Sequence, residues 1–194
     1  MAHLIYTTPA FLLRSRPSRE DSRVLTLYTR ELGLVEAYAQ GVRKLKSKLR
    51  PHLSELSLAR VSLVRGREFW RLTSAENLTN FGDCKPGKVL LVSRIFSLIL
   101  KLVNGELAHP ELFDELEKAL VFLTESNLDP RSLHHFEIVM VLKVLYHLGY
   151  LGQASNLEQF FLSPDWTQEL LESVGPLRRQ ALASINQSFE QSQL

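Results

Sequence analysis

Residues 43–50, R-K-L-K-S-K-L-R, place Arg43, Lys44, Lys46, Lys48 and Arg50 in one short run without an acid. Cations at this spacing suit a polyanion. Against a phosphate backbone they release condensed counterions, so affinity falls steeply with salt and carries no base preference. A second run, R-G-R-E-F-W-R-L (65–72), adds a ring to the charges. Strand alternation sends Arg67, Phe69 and Arg71 to one face, and Glu68, Trp70 and Leu72 to the other. A single-strand surface needs that combination, a ring on which bases stack and guanidinium groups for the phosphates. Trp70 and Leu72 are then core residues. In the same way Arg14 and Arg16 share a face opposite Phe11, Leu13 and Ser15. Any solvated strand carries arginines. The grouping of Arg14, Arg16, Arg67, Phe69 and Arg71 with the 43–50 loop is what points to nucleic acid. A membrane surface is also a polyanion, but no amphipathic helix sets aromatics beside these charges.

Other chemistries find less support. G-D-C-K-P-G-K-V (82–89) fits the first positions of a phosphate-cradling loop, yet Val89 stands where a hydroxyl must ligate Mg²⁺. His134 and Glu137 lie one helical turn apart, with no third metal ligand at a matching spacing. No serine sits in a G-x-S-x-G elbow, and no carboxylate pair is set apart as an acid–base couple. Cys84 is the lone cysteine, which excludes an internal disulfide and a cysteine-held zinc. The reading is a protein without a catalytic centre, cofactor or metal.

The elements that must position these residues change type along the chain. Segments 10–16, 22–29, 34–40, 57–64 and 68–75 are short, rich in β-branched or aromatic residues, and separated by turn signals. Five such strands, with the widest gap before the fourth, fit a small closed barrel, either oligonucleotide-binding or SH3-like. The basic run falls in that gap. From residue 88 the apolar period becomes helical: 88–104 is apolar on more than one face, as a central bundle helix is. Helices are expected over 109–126, with Pro110 at its first position, and over 129–150, with Asp129 as cap and Gly149 at the stop. Two more amphipathic pieces lie at 163–173 and 175–191. The expected class is α+β: a five-stranded barrel over 1–80, a Gly/Pro linker over 81–88, and a helical bundle over 89–194.

Charge divides along the same line. Residues 1–85 hold 15 Lys and Arg against 8 Asp and Glu, and residues 86–194 hold 8 against 13. A basic half suits a polyanion and an acidic half suits water or protein. The longest apolar run (89–103) is broken by Arg94 and Lys101, too charged to span a bilayer, and the first residues lack an export signal. A cytoplasmic protein is expected.

The stretch L-L-R-S-R-P-S-R-E-D-S-R-V-L-T-L-Y-T-R-E-L-G-L-V-E-A-Y-A-Q-G-V-R-K-L-K-S-K-L (12–49) resembles the opening of the RecO family of recombination mediators. The shared features are the S-R-P strand end, Glu20 and Ser22 in the turn, Thr29 to Gly33, and Ala39, Gly41 and Arg43 before a basic tail with Ser47 and Lys48. S-A-E-N-L (74–78) is similar to the family's end of barrel, and 112–120 and 134–150 to its bundle helices. The resemblance implies an oligonucleotide-binding (OB) barrel and a helical domain with no catalytic centre. It also implies binding of single- and double-stranded DNA, annealing of complementary strands, and loading of RecA with RecR and single-strand DNA-binding protein. Arg43, Lys44, Lys46 and Lys48 fall where the family has its basic barrel loop; Gly33 and Gly41 fall at turns. One departure stands out. Many members carry four zinc-binding cysteines after the Leu-Gly-Tyr helix, whereas here L-G-Q-A-S-N-L-E-Q-F (151–160) follows.

Overall fold

The computed structural model describes residues 4–18, 20–44, 47, 49–67, 69–151 and 155–191, and they form two compact units. The first contains five strands: β1 (Ile5–Ser18), β2 (Ser22–Thr29), β3 (Gly33–Ala39), β4 (Ser57–Arg65) and β5 (Trp70–Asn80). They close into a barrel in the order β1-β2-β3-β5-β4. Every pairing is antiparallel except β3 with β5, where Ala37 and Tyr38 lie parallel to Trp70 and Arg71. That Greek-key closure is the OB arrangement and leaves no long free edge.

Alternation fills the interior. Ala10 and Leu12 from β1, Leu25 and Leu27 from β2, and Val35, Ala37 and Ala39 from β3 meet Val61, Leu63, Trp70 and Leu72 in one cluster. Val42 and Leu53, from the long connection between β3 and β4, join that cluster at its end. β1 has a bulge between Leu12 and Arg14. The extra residue shifts the alternation, so Phe11 is not on the face opposite the arginines. It lies outside the interior cluster and packs against Phe81, with ring centroids 6.3 Å apart.

Residues Asn104–His109 belong to the barrel unit although they lie far along the chain. Gly105 O accepts the Leu34 amide at 2.9 Å, His109 O accepts the Tyr28 hydroxyl at 3.2 Å, and Glu106 accepts Trp70 Nε1 at 3.1 Å. Glu106 also pairs with Arg65, whose guanidinium lies 4.9 Å from the Trp70 ring centroid. Gly33 permits this approach. Its φ is +69°, and an added Cβ would sit 2.3 Å from Leu107 O.

The second unit is helical: α1 (Pro86–Leu102), α2 (Pro110–Glu125), α3 (Pro130–His147), α4 (Glu158–Phe161), α5 (Gln168–Glu172) and α6 (Val174–Gln191). Prolines open α1, α2 and α3, and Asp129 caps α3 by accepting the Ser132 amide at 2.7 Å. The central helix is α3, not α1 as the apolar run suggested, because α3 touches α1, α2, α4, α5 and α6. Its Lys143 is fully buried, pairs with Glu115 at 2.9 Å, and donates to Ser163 O at 2.5 Å. Trp166 Nε1 donates to the same carboxylate at 2.7 Å. A buried charge with that many partners is satisfied.

Lys88, the lysine of the phosphate-loop look-alike, is buried in the first turn of α1. Its ammonium donates to Thr124 O at 3.1 Å and Ser126 O at 2.6 Å, closing the C-terminal end of α2. The His134–Glu137 pair is engaged too: the carboxylate lies 3.3 Å from Arg94, and Arg178 lies 3.1 Å from His134 Nε2. No helix among the described residues is long and apolar enough to cross a membrane.

Candidate nucleic-acid interface

The register of the barrel lines up one outward row across four strands: Arg16 opposite Val24, Val24 opposite Tyr38, and Tyr38 beside Arg71. Val24, Tyr38 and Arg71 have the parity opposite to the interior residues Leu25, Ala37, Trp70 and Leu72, and Arg16, beyond the β1 bulge, pairs with Val24, so the row faces out. The β4–β5 hairpin adds Arg67 and Phe69, held by a Gly66 amide to Phe69 O hydrogen bond of 3.0 Å. These residues, with Pro17, Ser18 and Gly66, line an open groove of about 610 Å³. Among the described residues its lining includes two rings, Tyr38 and Phe69, three guanidinium groups and no carboxylate. Phe69 is 51% exposed, so its ring is open to a base within the groove.

Arg16 is held in place. Its guanidinium makes a two-pronged contact with Glu36, at 2.9 and 3.0 Å, from the neighbouring exposed position of β3. Both side chains are about half exposed, so the pair contributes little stability but fixes the fork at the groove's edge. No ion pair joins Arg67 or Arg71 to a carboxylate among the described residues. The grouping of Arg67, Phe69 and Arg71 therefore follows from the sequence, but for a different reason. β5 begins only at Trp70, so a hairpin turn, not strand alternation, brings Arg67 and Phe69 alongside Arg71.

The remaining expected residues distribute differently. Arg14 is exposed, in register with Thr26, and lines neither groove nor hollow. Lys46 and Lys48 lie outside the described residues. Lys44 has an acid close by after all: Asp21, from the turn before β2, is 3.7 Å away, with both side chains half or more exposed. Screening leaves that contact weak. Arg43 and Arg50 come together in a second hollow of about 400 Å³, lined also by Arg23, Val42 and Leu53. Gly41, at φ +65°, turns the chain there, and the Arg43 amide donates to Asp21 O at 3.0 Å.

Tyr38, Val24 and Arg23 were missed in the sequence. Tyr38 was legible in principle: in G-L-V-E-A-Y-A, Val35, Ala37 and Ala39 claim the interior, which leaves Tyr38 outside with Glu36. Arg23 has the parity of Leu25 and Leu27, so it points toward the barrel's end and bonds Ser15 Oγ at 3.0 Å.

Glu106 is a carboxylate whose ionisation is altered by its surroundings. The hydrogen bond from Arg65 is the largest cause that holds it below the usual carboxylate range; the Trp70 indole adds to this, and burial opposes it. Its charge is committed to Arg65 and Trp70.

Comparison with known proteins agrees with this architecture. A family model described as "Recombination protein O N terminal" matches residues 1–81. A "DNA repair protein RecO" of Dehalococcoides mccartyi is 31% identical over 135 residues, which are 69% of this chain and 53% of that protein. One from Desulfitobacterium hafniense is 30% identical over 173 residues, 83% of this chain and 61% of the relative. In Heliobacterium modesticaldum the figure is 40% over 77 residues, 40% of this chain and 28% of the relative. The chain thus spans a little over half the length of the first two. With a matching N-terminal barrel and similarity that runs on into the helices, the chain belongs to the RecO family.

Proposed function

We propose that this chain is a non-enzymatic DNA-binding mediator of repair and recombination, and that the groove across β1, β2, β3 and β5 is where it takes a strand. The observation that carries this reading is the row Arg16–Val24–Tyr38–Arg71, capped by Arg67 and Phe69, in a groove whose lining, among the described residues, holds three guanidinium groups and two rings and no carboxylate. The strand face and the hairpin loops of an OB barrel are where such barrels hold oligonucleotides. Tyr38 and Phe69 stack bases, and the guanidinium groups contact phosphates. Arg43, Lys44 and Arg50 extend the cationic surface along the β3–β4 connection, and Lys46 and Lys48 belong to the same basic run of sequence. Two phosphodiester chains repel each other, and a shared cationic surface screens that repulsion, so complementary strands bound together can anneal. Single- and double-stranded DNA are the ligands of this reading. RecR and single-strand DNA-binding protein are its protein partners, and RecA is loaded indirectly. The name that the relatives carry, "DNA repair protein RecO", supports the same assignment.

The test is a salt titration of oligonucleotide binding and strand annealing by the full chain. Binding is expected to weaken linearly on a log–log plot, with a slope that counts phosphate contacts at about 0.7 per contact for single strands. Changing Lys44, Lys46 and Lys48 to Glu should abolish annealing at low salt. Unchanged binding in that variant, or binding indifferent to salt, would overturn the proposal and favour an adaptor whose barrel only scaffolds.

A further inference from the structure

The hollow at the end of the barrel has a different character from the groove beside it. Its floor is apolar and closed: Val42 and Leu53, 4% and 9% exposed, plug the barrel's interior cluster. Around that floor stand Arg23, Arg43 and Arg50, and among the described residues the lining contains no ring on which a base could stack. Arg23 is half-buried and fixed by its hydrogen bond to Ser15 Oγ, 3.0 Å long. The Arg43 amide to Asp21 O hydrogen bond and the Gly41 amide to Ser22 Oγ hydrogen bond, at 3.0 and 3.3 Å, tie the arginine-bearing connection to the start of β2. Arg50 opens a short 3-10 turn, Arg50–His52. No ion pair joins Arg23, Arg43 or Arg50 to a carboxylate among the described residues.

Like charges gathered over a closed apolar floor repel one another unless an anion sits among them. Guanidinium forks match phosphate oxygens in geometry. A hollow that ends blind and offers charge without stacking suits a group at the end of a chain, not a chain passing through. A terminal phosphate monoester carries about −1.5 to −2 at neutral pH, against one negative charge for each internal diester. The two sites adjoin. Arg23 precedes Val24 of the groove row, and its partner across the β1–β2 ladder is Pro17, which lines the groove.

We propose that the Arg23–Arg43–Arg50 hollow is a terminal-phosphate site, where a strand lying in the groove ends with its phosphorylated end seated in the barrel mouth. This rests on the groove reading for the path of the strand, while the hollow itself is tested separately. The probes are three versions of one internally labelled oligonucleotide, with a 5′-phosphate, a 3′-phosphate, or hydroxyls at both ends. Each is titrated against the full chain at low salt. One phosphorylated end is expected to bind about tenfold tighter than the hydroxyl-ended strand, or about 1.4 kcal/mol, and which end it is gives the strand polarity. The advantage should shrink below about pH 6, where the monoester takes up its second proton. Arg23→Gln, Arg43→Gln and Arg50→Gln should each erase the preference; Arg23→Gln should change hydroxyl-ended affinity less than twofold, whereas Arg43→Gln and Arg50→Gln, which also remove a backbone contact, lower hydroxyl-ended affinity as well. Melting curves check that each variant folds; should Arg23→Gln unfold, the exposed Arg43 and Arg50 carry the test. Equal affinity for all three strands, or a preference that survives the variants, overturns the site while the groove reading stands. Binding of phosphorylated strands alone supports the site and overturns the groove. If no strand binds, both proposals fall.

Discussion

Phe69 and Arg71 both line the groove, and under the proposed function they have different physical jobs. A base stacked on an exposed ring is worth about 1–3 kcal/mol, without regard to sequence. Phe69→Ala is therefore expected to weaken single-strand binding roughly five- to a hundredfold, with a much smaller effect on duplex, whose bases are already stacked. Arg71→Gln should act on both substrates and lower the salt slope by about one phosphate's worth. Fluorescence anisotropy on matched single and double strands, at several salt concentrations, separates the two. A Phe69→Ala variant as tight as the parent would remove the ring from the site. At this scale the sequence is informative where a residue's type is unusual for its setting. A phenylalanine between two arginines, and Trp70 with Leu72 on the opposite parity, are both legible. Arg14 was not, because its role depends on a bulge at Leu13 and on the neighbour across the ladder, neither of which the residue's own type encodes.

At the scale of elements, the segment 104–109 is part of the barrel's stability. Gly33→Ala would combine a left-handed backbone with a Cβ 2.3 Å from a backbone oxygen that no rotamer change can move. It should lower the melting temperature by several degrees, and recovery of the parent value would mean that the strap does not press on β3. The Glu106–Arg65 pair makes a pH prediction. Glu106 has a folded pKa depressed below its ordinary 4.5. Its stabilisation is then fully present above that value and lost as pH falls through the depressed one. Both partners are about half exposed, so the effect at pH 7 is discounted to about 1 kcal/mol or less. Glu106→Gln keeps an acceptor for the Trp70 indole and removes only the charge. Denaturant melts of parent and variant should differ at pH 7 and converge well below pH 4.5; a constant gap would sink this account. The sequence marked the strands, their turns and the capped helices, because these depend on nearest neighbours and short periods. It carried no warning that N-G-E-L-A-H would leave the helical run and return to the barrel, because that pairing links β3 to residues some seventy positions later. Nor did it single out α3 as central: α1 is just as apolar, and only contacts with the later helices separate them.

For the molecule as a whole, acid should be felt in the helical unit before the barrel. Burial is the largest cause that holds His147 below its ordinary value of 6.5; nearby Lys143 also lowers it, while Glu115 opposes. An unfolded chain takes up that proton first. The stability from keeping His147 neutral is present above about pH 6.5 and lost as pH falls through the folded value. His135, also lowered chiefly by burial, acts in the same direction. Hydrogen exchange should show helical amides losing protection between about pH 6.5 and 5, while barrel amides hold. His147→Gln should flatten that dependence, and an unaltered profile would assign the titration elsewhere. The split of charge along the chain, basic first and acidic second, is legible from a count of Lys, Arg, Asp and Glu. Such a count does not reveal that the basic half sorts its arginines into an open path with rings and a closed mouth without them, since that sorting depends on strand register.

The return of residues 104–109 to β3 and β5 also limits how the protein can be dissected. A fragment cut at the linker near residue 84 would look complete by strand count. Yet it would leave the Leu34 amide without its acceptor, the Trp70 indole without its carboxylate, and Arg65 without its counter-charge. Such a piece would present an unzipped flank next to the strand that carries Tyr38, and weak DNA binding by it would say little about the intact chain. Nor could a ribosome finish the barrel on schedule, because its last stitch emerges only after the whole of the first helix has been made.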